Sequence, residues 1–126
     1  MTVLTQPPSL GDILKYELNP NYTRETVTLL AGTAYPVGAV LGRITVSGKY
    51  KLATSGGTDG AQTAAAMLLY AVDASAGDRT GIALVRGPAI VSKVTLIFDA
   101  TVDDAAKTVT KHGQLAALGI IPRDTA

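Results

Sequence analysis

The spacing of apolar positions changes several times along the chain, and each change marks an element. Between Arg24 and Leu30, Val27 and Leu29 alternate with Thr26 and Thr28, the period of two that predicts a strand with one buried face. Ala31-Gly32 ends it. A turn at Pro36-Val37-Gly38 leads into Ala39-Val40-Leu41-Gly42, and Ile44 and Val46 continue the alternation. Lys49 to Ala53 is expected to pair back across Ser47-Gly48 as a hairpin, since glycine supplies the positive φ that tight loops need. A second turn-rich break, Ser55-Gly56-Gly57-Thr58-Asp59-Gly60, follows. Ala64 to Val72 is continuously apolar; Tyr70 and Val72 favour a strand in its second half, while Ala64-Ala65-Ala66 leaves a helical turn open at its start. Thr80 to Arg86 and Ala89 to Val91 read as strands divided by Gly87-Pro88, and Lys93 to Phe98 alternates Val94, Leu96 and Phe98 against Lys93, Thr95 and Ile97.

One segment has the helical period. Asp103 to Leu118 predicts a helix capped by Asp103, with Asp104 near the positive end of the dipole, Asp103 and Lys107 four apart, and Gly119 placed as a C′ glycine. Its expected buried stripe is Val102, Ala106, Val109, Gly113, Ala116 and Ile120. Ile120-Ile121 before Pro122 predicts a last edge strand. Met1 to about Thr23 has no sustained period: Pro7-Pro8, Gly11 and Asn19-Pro20-Asn21 punctuate scattered apolar residues. Residues 1–23 are therefore expected to form a flexible arm outside the fold, with Pro20 holding Asn19 extended, and residues 24–126 a β-rich domain.

Length and composition narrow the class. A chain of 126 residues is one domain, long enough to bury roughly two-thirds of its unfolded surface. With no cysteine there is no disulfide framework, thiolate metal site or Cys nucleophile. Eleven basic and ten acidic residues give a net charge of +1 without charge runs, which argues against nucleic acid as a partner. The N-terminus lacks a basic region followed by an apolar core, and no apolar run approaches the roughly 18 residues of a membrane helix, so neither export nor membrane insertion is expected. Residues are 47% hydrophobic and only 17% charged, a balance that leaves apolar surface exposed on a monomer and favours self-association or docking on a larger surface.

Candidate chemistry is sparse. His112 is the single histidine, and with no second His or Cys it is read as a surface or partly buried helix residue. The stretch Gly56-Gly57-Thr58-Asp59-Gly60 lacks the Gly-Lys-Ser/Thr of a phosphate loop. The acids Asp59, Asp73, Asp78, Asp99, Asp103 and Asp104 lack calcium-loop spacing, and Ser9, Ser47, Ser55, Ser75 and Ser92 lack a nucleophile elbow. No catalytic, cofactor or metal residue is assigned, and Asn21-Tyr22-Thr23 is read as a chance sequon. Tyr16, Tyr22, Tyr35, Tyr50 and Tyr70 read as amphipathic packing residues, with Tyr16 and Tyr22 suited to anchoring a protein partner.

An ordered series of short pieces resembles the lambda-type head decoration proteins of tailed bacteriophages, a capsid-stabilising family. The pieces are Arg24-Glu25-Thr26-Val27-Thr28-Leu29, Gly38-Ala39-Val40-Leu41-Gly42-Arg43-Ile44-Thr45, Gly48-Lys49-Tyr50, Asp59-Gly60-Ala61-Gln62-Thr63-Ala64, Val72-Asp73-Ala74-Ser75, Val85-Arg86-Gly87 and Leu118-Gly119-Ile120. The resemblance implies a mainly β (α+β) fold with one C-terminal helix, compact and β-clip-like or β-barrel-like, with a flexible N-terminal arm. It implies a non-enzymatic cement protein, made in the host cytoplasm, that sits as homotrimers at three-fold and quasi-three-fold positions on the outer capsid surface. Its partners would be the major capsid protein and itself, with no nucleic acid, membrane or cofactor. The arm would join strands of the capsid protein, and the residues expected to carry that contact are Tyr16, Tyr22, Arg24, Thr26, Val27 and Leu29. The alternative reading is a small-ligand or carbohydrate-binding β module using the tyrosines and the Gly-rich loop; a hydrolase is disfavoured for want of a base or metal.

Overall fold

A computed structural model of the chain describes residues 13–124. Among the described residues, three sheets contain ten strands. The central one is a closed five-stranded barrel of β2 (Arg24–Leu29), β5 (Tyr50–Leu52), β4 (Val40–Arg43), β6 (Ala64–Leu68) and β8 (Arg79–Leu84), in that order. β2 and β8 are antiparallel along six residue pairs, from Arg24 opposite Leu84 to Leu29 opposite Arg79. The seam is short: β2 meets β5 in parallel only where Leu29 lies opposite Tyr50, helped by the Leu30 amide donating to the Tyr50 carbonyl at 2.8 Å. β3 (Ala34–Tyr35) and β7 (Val72–Asp73) form a two-stranded ribbon, and β1 (Leu14–Glu17), β9 (Ala89–Ser92) and β10 (Ile120–Arg123) form a third sheet with β9 in the middle.

Alternation along the barrel strands sorts the core into two compartments. Val27, Leu29, Leu41, Leu68 and Ala83 turn into the barrel, with Tyr35 at its end. Val40, Met67 and Leu84 turn outward and meet Ile13, Ala89, Val91, Leu96, Leu115 and Ile120 in a second cluster under the three-stranded sheet and the main helix. Gly42 belongs to this construction: a Cβ there would lie 2.3 Å from the Ala61 carbonyl oxygen, so only glycine lets the 61–63 turn close against β4.

The mainly β fold with one C-terminal helix matches the sequence expectation, as do the strand over Arg24–Leu29 and the hairpin pairing Leu41 with Leu52. Ala64–Leu68 is a strand from its first residue. Four details differ. The strand expected over Lys93–Phe98 is a 3₁₀ turn at Lys93–Thr95, leaving Val94 exposed while Leu96 is buried and Ile97 bridges Ala39. β4 stops at Arg43, and Val46 stands 98% exposed in the turn that follows. α2 (Ala105–Ala117) is capped by Asp104, whose carboxylate accepts from the Lys107 amide at 2.8 Å, rather than by Asp103.

The fourth concerns the helix face. Leu115 and Lys111, one turn apart, point into the core, whereas Val109 is 66% exposed and Ala106, Gly113 and Ala116 face solvent. Lys111 can be inside because its ammonium donates to the Gln62 carbonyl and, at 3.3 Å, to Gln114 Oε1, which also accepts from the Ala64 amide at 2.8 Å. That network orients α2 on β6, and the helix is turned so that its small residues point outward.

Candidate functional site

The stretch from Leu14 to Leu29 joins the three-stranded sheet to the barrel. β1 is antiparallel to β9, with Tyr16 opposite Ile90 and Glu17 opposite Ala89, and the Leu18 amide donates to the Pro88 carbonyl at 3.0 Å. Asn19 then caps α1 (Pro20–Thr23): its side-chain oxygen accepts from the Asn21 amide at 2.9 Å, and Pro20 at the first helical position has no amide to leave unpaired. This single turn swings the chain into β2.

Its base is closed by one carboxylate. Glu17, with a side chain only 9% exposed, accepts from Arg24 Nε at 3.0 and 3.1 Å, from the Arg24 terminal nitrogen, and from the buried Thr23 hydroxyl at 2.6 Å. Burial alone would raise the Glu17 pKa; the bonds from Arg24 and Thr23 and the Arg24 charge outweigh it and hold the group below the usual carboxylate range. The bond to Glu17 raises the Arg24 pKa in turn, and the other Arg24 terminal nitrogen reaches the Tyr70 hydroxyl at 3.5 Å. Arg86 pins α1 from the other side, donating to the Tyr22 carbonyl and to Glu25 at 2.9 Å, with its guanidinium carbon 5.4 Å from the centre of the Tyr22 ring.

The six residues expected in a partner-binding arm are therefore dispersed. Tyr16 and Tyr22 are about half exposed, at 49% and 54%. Arg24 is committed to Glu17. Thr26 lies exposed on the barrel wall opposite Ile82, while Val27 and Leu29 are buried inside the barrel and cannot fill a partner's pockets in this conformation. Of the arm expected over residues 1–23, the structure describes residues 13–23: Ile13 is fully buried and Leu14–Glu17 is built into a sheet, so this part is joined to the domain. Residues 1–12 lie outside the described residues.

Beside Tyr16 the structure places residues that sequence reasoning passed over. Tyr16, Ile90 and Ile121 form a row across β1, β9 and β10 on the face opposite buried Ala89, Val91 and Ile120, with exposed Leu18 just beyond β1. β1 is the edge of this sheet, and its outer side has no strand partner among the described residues. An edge strand beside an outward apolar row is a surface that an extended segment of another protein can join by main-chain hydrogen bonds.

Other surfaces offer less chemistry. Among the described residues no group of three or more His, Cys, Asp or Glu is arranged to hold a metal, and no helix is long and apolar enough to cross a membrane. Asp59, Asp73 and Asp99 each accept a backbone amide two residues on, as side chains that close turns do. The tyrosines do not make one platform: Tyr35 is buried with its hydroxyl donating to the Leu30 carbonyl at 2.8 Å, and Tyr70 lies near Arg24. An open groove of about 410 Å³ beside the ribbon is lined by Ala34, Tyr35, Pro36, Ala71, Val72 and Asp73. Its one carboxylate is taken by Ser75, so convergent polar groups for a small ligand are lacking there.

A family model described as bacteriophage lambda head decoration protein D matches residues 3–120 of the chain. No curated protein matches it.

Proposed function

The chain belongs to the bacteriophage lambda head decoration protein D family, and on that premise we propose that it docks as a homotrimer on the outside of the expanded phage head and cements the shell. It is thus a structural capsid component, and its binding chemistry is that of a protein surface. The observation that carries the docking mode is the position of β1 at the edge of the three-stranded sheet, beside the Tyr16, Ile90 and Ile121 row. A strand of the major capsid protein can pair along β1 and the residues before it, while Tyr16, Leu18 and Tyr22 supply apolar contact.

Self-association is supported by the outward Ala106, Val109, Gly113 and Ala116 face, which carries no charge. Trimeric linkage raises the effective concentration of each docking segment once one is bound. Stabilisation needs no catalysis: a protein that binds only the expanded lattice shifts it by RT ln(1 + [L]/Kd), about 2.7 kcal/mol per site at a hundredfold excess over Kd. Many sites then resist the pressure of packaged DNA together.

Purified protein should co-sediment with expanded empty heads, appear as knobs over three-fold positions by cryo-electron microscopy, and raise the temperature at which heads rupture. Failure to bind expanded heads, or equal rupture temperatures at full occupancy, would refute this reading.

A further inference from the structure

We infer that Glu17 and Arg24 act as positioning residues that pre-order the docking edge of β1, an inference that rests on the docking reading above for its purpose but not for its test. Arg24 was expected to touch a partner directly, yet its guanidinium is spent within the chain, on Glu17 and Tyr70. The two residues flank the six-residue connection Leu18–Thr23, so their bidentate contact closes that loop at its base and fixes where β1 lies relative to the barrel. The Thr23 hydroxyl is a third donor to the same carboxylate, after Arg24 Nε and the Arg24 terminal nitrogen, and the Thr23 amide donates to the Asn19 carbonyl at 2.9 Å, which ties the clamp to the capped turn.

This placement matters because β1 is short and lies at a sheet edge. A strand of four residues at the end of a sheet, with a register shift between Leu14 and Tyr16, is weakly held, and local fraying is the expected behaviour of such an element. A largely desolvated ion pair at its end opposes that fraying. Ordering the strand beforehand removes part of the entropy cost that a partner would otherwise meet on docking, so the clamp contributes to affinity without touching the partner.

The test uses the full-length protein with Glu17→Gln, Arg24→Gln, the double variant, and Thr23→Val as an isosteric change that removes one donor. Backbone amide exchange is compared between β1, with the Leu18 amide as reporter, and β4 and β6 of the barrel, and affinity for expanded heads is measured in parallel. Each Gln variant should exchange faster in β1 with barrel protection retained, and bind heads roughly three- to tenfold more weakly, with Thr23→Val milder and the double variant no worse than the singles. A purely structural role would accelerate exchange in β1 and barrel alike, which would overturn the inference, as would unchanged β1 protection or unchanged affinity in Glu17→Gln. Absence of binding by the unmodified protein would overturn the docking reading instead, and the exchange comparison would still decide whether the clamp pre-orders β1.

Discussion

At the residue scale, single positions show which local contacts the fold depends on. Gly42→Ala should cost about 3 kcal/mol or more, because its Cβ would sit 2.3 Å from the Ala61 carbonyl oxygen and 2.6 Å from the Ala61 Cα, and backbone cannot move aside as a side chain can. Gly113→Ala should do the reverse. It lies inside α2 with open space where a Cβ would go, so alanine should raise stability by roughly 0.5–1 kcal/mol through lost unfolded-state freedom. Denaturant midpoints of the two variants check both signs. His112 makes stability depend on pH: its Nε2 is buried without a partner, its ring packs at 5.9 Å from Phe98, and burial, aided by the Lys93 charge and opposed by Asp124, lowers its pKa. The unfolded chain then takes up this proton near pH 6.5 before the folded one does, so stability falls as pH drops from 6.5 toward the lower folded value and is unaffected above it. His112→Leu should flatten that part of the curve, with the difference bounded at about 1.4 kcal/mol per pH unit; parallel wild-type and variant slopes between pH 5 and 6.5 would refute it.

At the scale of elements, strands with one buried face were legible and the orientation of the helix was not. Val27 and Leu29 against Thr26 and Thr28 is a plain alternation, and both apolar residues are inside the barrel. The expected stripe failed at Ala106, Val109, Gly113 and Ala116, though not at buried Ile120, because small residues mark a face only weakly, whereas the helix is set by Leu115 and by Lys111, a charge that hydrophobic periodicity assigns to solvent. No pattern of apolar residues reports that Gln62 and Gln114 will receive an ammonium. Similarly, Val94, Leu96 and Phe98 alternate, but a 3₁₀ turn advances by three residues and sends Val94 outward. The cap offers a direct measurement of this kind of ambiguity. Asp104→Ala should lower stability by about 1 kcal/mol, since it removes the acceptor of the Lys107 amide. Asp103→Ala removes only an exposed pair with Lys107 and should change little. Equal losses in thermal unfolding would show that the two acids share the cap.

At the scale of the whole molecule, the difference that matters is where the domain begins. Ile13 to Thr23 offered no period because β1 has four residues, carries a register shift between Leu14 and Tyr16 that puts these neighbours in different environments, and ends at a one-turn helix. The clamp on Glu17 was equally silent, since an acid and a base seven apart across Asn19-Pro20 have no recognisable spacing. Truncation separates the two boundaries. Removing Met1 to Asp12 should leave the barrel, the three-stranded sheet and both core clusters in place, so the unfolding midpoint should stay close to that of the full chain while binding to expanded heads weakens as part of the docking segment is lost. Removing Met1 to Thr23 takes away Ile13, Thr23 and β1, uncovering the side of β9. Loss of buried Ile13 alone is worth roughly 2–5 kcal/mol, a large share of the about 5–15 kcal/mol that holds a domain of this size together. The longer truncation should therefore unfold well below the shorter one, and loss of head binding in it would report damage to the domain as well as a missing arm. If both truncated proteins unfold at the temperature of the full chain, residues 13–23 contribute nothing to stability, and the domain begins at Arg24 as the sequence pattern suggests.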